Sequence, residues 1–237
     1  MSNRPASPLH KWDLTPGEAI ALQRQLAARI IREDRLGEVR HIAGVDMAIN
    51  KEHETARAAV VLLTYPELEI VERHVYEEPV RMPYIPGLLS FREAPAVLGA
   101  MQKLRRQPDL VMVDGQGIAH PRRLGIASHL GLWLELPTIG CAKSILIGHY
   151  NKVGPGAEAG SYVHLMDGQE TIGAVVRTRT RINPMYISIG HRISLATSIH
   201  YVLACSKGYR LPEPTRLADK LSKDHTWEEP EGESCPR

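Results

Sequence analysis

Two short apolar runs, each closed by one aspartate, restrict this chain more than any other feature: Ile42-Ala43-Gly44-Val45-Asp46 and Leu110-Val111-Met112-Val113-Asp114. Runs this short and this apolar read as buried strands. An aspartate left unpaired in such surroundings is costly. Two that meet repel each other unless they are protonated or bridged by a cation. The fold must therefore bury both runs and also satisfy both acids. A lone aspartate would be read as a strand-end cap or an arginine partner, but this pair in this order favours a metal.

Between the runs lies Pro83-Tyr84-Ile85-Pro86-Gly87, followed by Leu88-Leu89-Ser90-Phe91-Arg92-Glu93. The two prolines fix φ on either side of a Tyr-Ile tip. A stiff, uncharged, aromatic tip is costly to leave in water and suits a flat apolar surface, as between two bases. A metal held by strand acids beside such a tip points to a nuclease that inspects what it cuts.

At 237 residues the chain forms one domain with a sizeable core. We read residues 1–222 as that domain and the polar, proline-bearing residues 223–237 as a disordered tail. The net charge of +2 excludes a polycation, so nucleic-acid contacts must come from local clusters. These are Arg105-Arg106, Arg122-Arg123 and the strand-spaced set Arg177, Arg179 and Arg181, for which a solvated face and a phosphate track weigh about equally. No run reaches transmembrane length, and Met1-Ser2-Asn3-Arg4-Pro5 leads into no secretory core, so no membrane partner is expected. Cys141, Cys205 and Cys235 fit neither a disulfide framework nor a zinc pattern, which implies a reducing, cytoplasmic setting.

Thr15-Pro16-Gly17-Glu18 is a capping box that opens a helix over residues 16–33, with Ala19, Leu22, Leu26 and Ile30 on one face. Strands are expected at 42–49, 58–65 and 68–75, the last two joined at Pro66-Glu67. A helix follows the proline loop and ends near Arg106, with Ser90 as its cap and Pro95 awkwardly early. A strand at 109–114, a helix from Pro121 and a strand at 138–142 come next. Two more strands lie near 172–179 and 185–189, and a last helix runs from Ser194 to Gly208. A meander followed by alternating units gives an α/β fold, a mixed sheet with helices packed on it. In the favoured topology the first and fourth strands are neighbours.

Other residues extend the acidic site. Glu93 offers a third acid, although Ser90-x-x-Glu93 also matches a capping box. Asp219 offers a fourth. Lys143, at a strand end, reads either as an ordinary rim lysine or as a charge that offsets build-up at a cut phosphate. His120 precedes Pro121 and an expected helix start, a natural place for a phosphate, and reads equally as a loop histidine satisfied by backbone. Magnesium suits such oxygen ligands and uses one or two carboxylates.

Together these residues resemble the endonuclease V family, over about Ala27 to Asp219. The resemblance rests on the two aspartate runs, Met82-Pro83-Tyr84-Ile85-Pro86-Gly87 through Phe91-Arg92-Glu93, and His120-Pro121-Arg122-Arg123-Leu124-Gly125. It also rests on Gly140-x-x-Lys143, Gly190-His191-Arg192 and Gly208-Tyr209-Arg210-Leu211-Pro212-Glu213-Pro214-Thr215-Arg216. It implies a ribonuclease H-like fold. It also implies cleavage of DNA at the second phosphodiester bond 3′ to deoxyinosine, leaving 3′-hydroxyl and 5′-phosphate ends, with Mg²⁺ or Mn²⁺. By the same resemblance Asp46 and Asp114 hold the metal, Glu93 and Asp219 complete the acidic site, and Lys143 and His120 serve near the phosphate. Pro83, Tyr84, Ile85 and Pro86 form a wedge, and Gly87, Leu89, Gly115, Gly117, Gly125 and Ile126 line a pocket for the extruded base. Gln116 stands where many members carry histidine, and glutamine cannot be protonated; the metal site is expected to stand unchanged. The other readings kept open are an inosine-directed ribonuclease, a different nuclease of the same fold and a non-catalytic inosine reader. A monomer is expected.

Overall fold

The two aspartate runs lie side by side. In the computed structural model, which describes residues 8–50, 52–151 and 153–227, β1 (His41–Asn50) pairs in parallel with β4 (Leu110–Val113). Val45 is level with Val113, and the Asp114 N–H donates to Val45 O at 3.1 Å. Asp46 and Asp114 therefore leave the two strands at the same height, as the favoured topology requires.

Around this pair the described residues form one mixed sheet in the order β3-β2-β1-β4-β5-β8-β7-β6. β2 (Thr55–Thr64) and β3 (Ile70–Pro79) complete an antiparallel meander with β1. β5 (Thr138–Ala142) runs parallel to β4, and β8 (Met185–His191), β7 (Glu170–Val176) and β6 (Tyr162–Asp167) follow antiparallel. Strand β2 is apolar from Ala58 to Leu63 because both its faces are covered. Ala56, Ala58, Val60 and Leu62 pack against α2 (Leu89–Gln102), whereas Ala59, Val61 and Leu63 pack against Ala218 and Leu221 of α5 (Glu213–Lys223). The same alternation turns Gly44 and Asp46 of β1 toward α5. Among the described residues no helix is long and apolar enough to cross a membrane.

Several boundaries differ from the sequence reading. The capping box forms as expected, but α1 (Pro16–Ala27) stops before residue 33. Its continuation is captured elsewhere: the Ile31 N–H donates to His191 Nδ1 and the Arg35 N–H to Arg192 O. Ser90 does not cap α2, whose N-cap is Leu88 without a side-chain bond; Ser90 Oγ pairs with His129 Nδ1 at 3.0 Å instead. The helix keeps Pro95 inside it and ends at Gln102 rather than Arg106. The helix expected from Pro121 begins at Ile126 as α3 (Ile126–Leu134), because the Gly125 and Ala127 N–H groups are taken by Gly117 O and Gln116 O. Strand β7 ends at Val176, and Arg177 turns back onto the carbonyls of Pro155, Gly156 and Ile182, so Arg177, Arg179 and Arg181 share no strand face.

Strand β6 escaped the periodicity reading because it is half exposed and interrupted by His164 and Asp167. The helix expected from Ser194 to Gly208 is α4 (Leu195–Ala204), capped by Ser194 as read but ending earlier, and it is not the last: α5 starts on the proline-rich segment beyond Gly208. Within the expected tail, Trp227 is partly buried and packs beside Ala218 and Leu221. Residues 1–7 and the remainder of the expected tail, 228–237, lie outside the described residues.

Candidate active site

Three carboxylates meet at one point. Asp46 comes from β1, Asp114 from the end of β4 and Asp219 from α5, and each offers an oxygen within 4.8 Å of the others. Gly44 makes this approach possible: a Cβ there would stand 1.9 Å from Pro214 O, so only glycine lets the first turn of α5 lie on β1. Asp46 Oδ2 accepts the Ser222 hydroxyl at 2.5 Å. Lys143, just past β5, puts its ammonium 2.5 Å from Asp114 Oδ2, without hydrogen-bond geometry, and 2.6 Å from Asp219 Oδ1.

The electrostatics follow from crowding. Burial pushes the Asp46 carboxyl up to about 7; Ser222 opposes the rise, and the charges of Asp114 and Asp219 add to it. Glu93, in the first turns of α2, is pushed up to about 8 by burial, then by Asp46, with Arg92 opposing and Asp114 adding. Burial would lift Asp219 too, but Lys143 and Lys223 hold it below the usual carboxylate range. Burial would likewise lower Lys143, yet Asp114 and Asp219 make it hold its proton more tightly. Like charges forced together, with an ammonium between two of them, fit a hard divalent cation: the donors are all oxygen, and the site already needs positive charge. Glu93 faces the same space but stands outside the group of three.

Beside the acids opens a cavity of about 300 Å³. The Tyr84-Ile85-Pro86-Gly87 stretch and Leu89 form one wall, and Gly115, Gln116, Gly125 and Ile126 form the floor, with Glu93, Asp114 and Lys143 on the side of the acids. Tyr84 is 66% exposed, at the head of a loop whose root is buried through Met82 and Leu88. Pro83 and Pro86 flank the tip and are exposed.

Two expected pocket residues do other work. Gly117 does not line the cavity: a Cβ there would meet Ile189 O at 2.0 Å, and its N–H donates to Ser188 Oγ at 2.8 Å, so it is glycine for packing. His120 lies in the cavity wall but not at a helix start, since α3 begins six residues later at Ile126. Its Nδ1 accepts the Arg122 N–H and its Nε2 donates to Gly87 O at 3.1 Å. Burial and the Arg122 charge push its pKa down to about 4, so it is a neutral brace.

The sequence reading missed the far wall, Ser144, Ile145 and Leu146, of which Ile145 and Leu146 are 40% and 47% exposed. Two bare apolar residues directly after a strand-end lysine were the available signal. Gln116 Nε2 donates to Ser144 O at 2.8 Å, which ties that wall to the floor and needs no titrating proton. Gln23 of α1 was also missed. It is fully buried and bonds Gly87 O and Leu124 O, a link that no local pattern reveals.

Comparison with known proteins agrees with this geometry. A family model described as Endonuclease V matches residues 24–220. Endonuclease V of Gloeobacter violaceus is 53% identical over 225 residues, covering 93% of this chain and 91% of that protein. The crystal structure of endonuclease V from Streptomyces avermitilis superposes with a TM-score of 0.84 at 40% identity, covering 93% and 95% of the two chains. Ciona intestinalis endonuclease V, solved in complex with a 24mer DNA containing an inosine followed by a ribo-adenosine, superposes at 0.79 with 29% identity, covering 89% and 96%.

Proposed function

The chain belongs to the endonuclease V family, with its ribonuclease H-like α/β fold, and from that premise we propose how its site works. It is a DNA-repair endonuclease for deoxyinosine that hydrolyses the second phosphodiester bond 3′ to the lesion, leaving 3′-hydroxyl and 5′-phosphate ends. The observation that carries this reading is the meeting of Asp46, Asp114 and Asp219 beside a cavity headed by an exposed tyrosine.

Asp46 and Asp114 would hold Mg²⁺, with Mn²⁺ as a substitute, and Asp219 and Glu93 complete the negative set. A metal held there would supply Lewis-acid polarisation of a phosphate oxygen, a water made more acidic and a counter-charge for the leaving oxygen. Lys143 offsets charge that builds on the phosphate. Tyr84 fills the gap left by the extruded base. Flipping costs a few kcal/mol, least for a base that pairs poorly, and stacking on the tyrosine returns about 1–3 kcal/mol. A deaminated adenine is therefore drawn out nearly for free, while a sound pair stays in. Gly87, Leu89, Gly115, Gly125 and Ile126 surround the base, with backbone close enough to read its edge. The buried free thiols Cys141 and Cys205 suit a reducing cytoplasm, and the protein acts as a monomer.

A labelled inosine duplex nicked only with Mg²⁺, at the mapped second bond, supports this function. Asp46→Asn should abolish the nick and keep binding. Full activity in that variant overturns the metal assignment, and binding without any nick in the wild type identifies a reader instead. An inosine RNA of the same sequence, run in parallel, tests ribonuclease activity.

A further inference from the structure

Gly87 is where the stiff tip joins the rest of the protein, and its carbonyl is unusually crowded. Three N–H donors converge on this one oxygen: Gln23 Nε2 at 2.9 Å, Arg122 Nη2 at 2.7 Å and His120 Nε2 at 3.1 Å. The residue sits at φ +79, where a side chain strains the backbone, and a Cβ would lie 2.6 Å from Arg122 Nη2 and displace that guanidinium. Gln23 is the hub of the arrangement. Its Nε2 also donates to Leu124 O at 3.3 Å, and its Oε1 accepts Arg122 Nε. Every polar atom of this fully buried amide thus serves the root of the loop, the guanidinium that grips it, or Leu124, two residues before α3.

The prolines stiffen the tip internally, but a stiff finger on a loose knuckle still swings. Gln23 lies on α1, distant in sequence from both segments it joins, and removes that freedom. We propose that Gln23 is a positioning residue: by locking the Gly87 carbonyl together with Arg122, it aims Tyr84 so that insertion into a duplex does not first require the loop to be ordered. The inference rests on the wedge reading given above.

Aim matters only where a stack must be opened, so the effect separates duplex from single-stranded substrate. Gln23→Leu keeps the volume and deletes the amide. Its nicking of an inosine duplex should fall about tenfold, the cost of ordering a loop on binding, while nicking of a single-stranded inosine oligonucleotide stays within about twofold. In the duplex assay the effects of Gln23→Leu and Tyr84→Ala should fall short of multiplying when combined, because both act through one finger. Equal slowing on both substrates, or full multiplication in the double variant, overturns the proposal. Should the leucine variant fail to fold, Gln23→Met carries the same test, with single-strand activity reporting its integrity. A wild type that nicks neither substrate overturns the underlying function instead, so the two failures are distinguishable.

Discussion

Replacing Gly44 with alanine should disarm the site without touching an acid. A methyl there would stand 1.9 Å from Pro214 O, 2.1 Å from Pro214 C and 2.7 Å from Thr215 N. All three are backbone atoms, so no rotamer relieves the clash. Ordinary contact begins near 3.4 Å, so α5 must retreat by roughly 1.5 Å from β1. The helix moves rather than the strand, because β1 is clamped by β2 on one side and β4 on the other. Overpacking of this kind costs about 1–3 kcal/mol, which lowers the melting temperature by a few degrees in a chain of this size. The larger effect is on position. Asp219 and Ser222 ride on α5, and a displacement of about 1 Å at a reacting centre costs on the order of 100-fold. We therefore expect a folded Gly44→Ala protein that needs more Mg²⁺ for half-maximal nicking of an inosine duplex. It should cut about 100-fold more slowly and bind that duplex without metal as well as wild type. A folded variant with wild-type rate and wild-type Mg²⁺ dependence would refute the claim that α5 is seated by this glycine.

Further outcomes follow from the same geometry. Tyr84→Ala should weaken binding to inosine DNA about tenfold more than binding to undamaged DNA; an unchanged ratio in a binding titration removes the tyrosine from recognition. Lys143→Met should slow nicking by about 10²–10³-fold while metal-free DNA binding persists; wild-type turnover would show that the ammonium is only a counter-ion. Metal should also stabilise the protein in a pH-dependent way. Burial and crowding push Asp46 up to about 7 and Glu93 up to about 8 when folded without metal, against ordinary values of 3.8 and 4.5. The folded chain therefore holds more protons than the unfolded one from about pH 4 to 8, and stability from these acids is lost as pH rises through that window. A cation compensates their ionised forms, so the rise in melting temperature on adding Mg²⁺ should grow from pH 5 to 8. A rise independent of pH, or one that Asp46→Asn leaves unaltered, would contradict this origin.

The centre of the sheet was legible because its physics is local. A run such as Leu110–Val113 has no solution but burial, and the acid at its end cannot be buried without company. The exposed Tyr84 tip was legible for the same reason, since two prolines state their torsions outright. What escaped was set by distant partners. Nothing in residues 28–33 forbids a helix; α1 ends at Ala27 because His191 and Arg192 take the backbone groups that would have continued it. The sequence leaves His120 open between a phosphate site and a loop histidine satisfied by backbone, and only the fold shows Gly87 and Arg122 occupying both its ring nitrogens. Gly117 looks like a pocket residue until β8 arrives against it. Gln23 carries no local sign of its role, because the carbonyl it holds is 64 residues away.

The acid set is completed by the last helix among the described residues, whereas the finger, the cavity and both strand acids come from earlier in the chain. During synthesis the strand acids, the finger and the cavity residues therefore emerge before Asp219 does. Asp46 and Asp114 gain their third carboxylate only when α5 docks on β1.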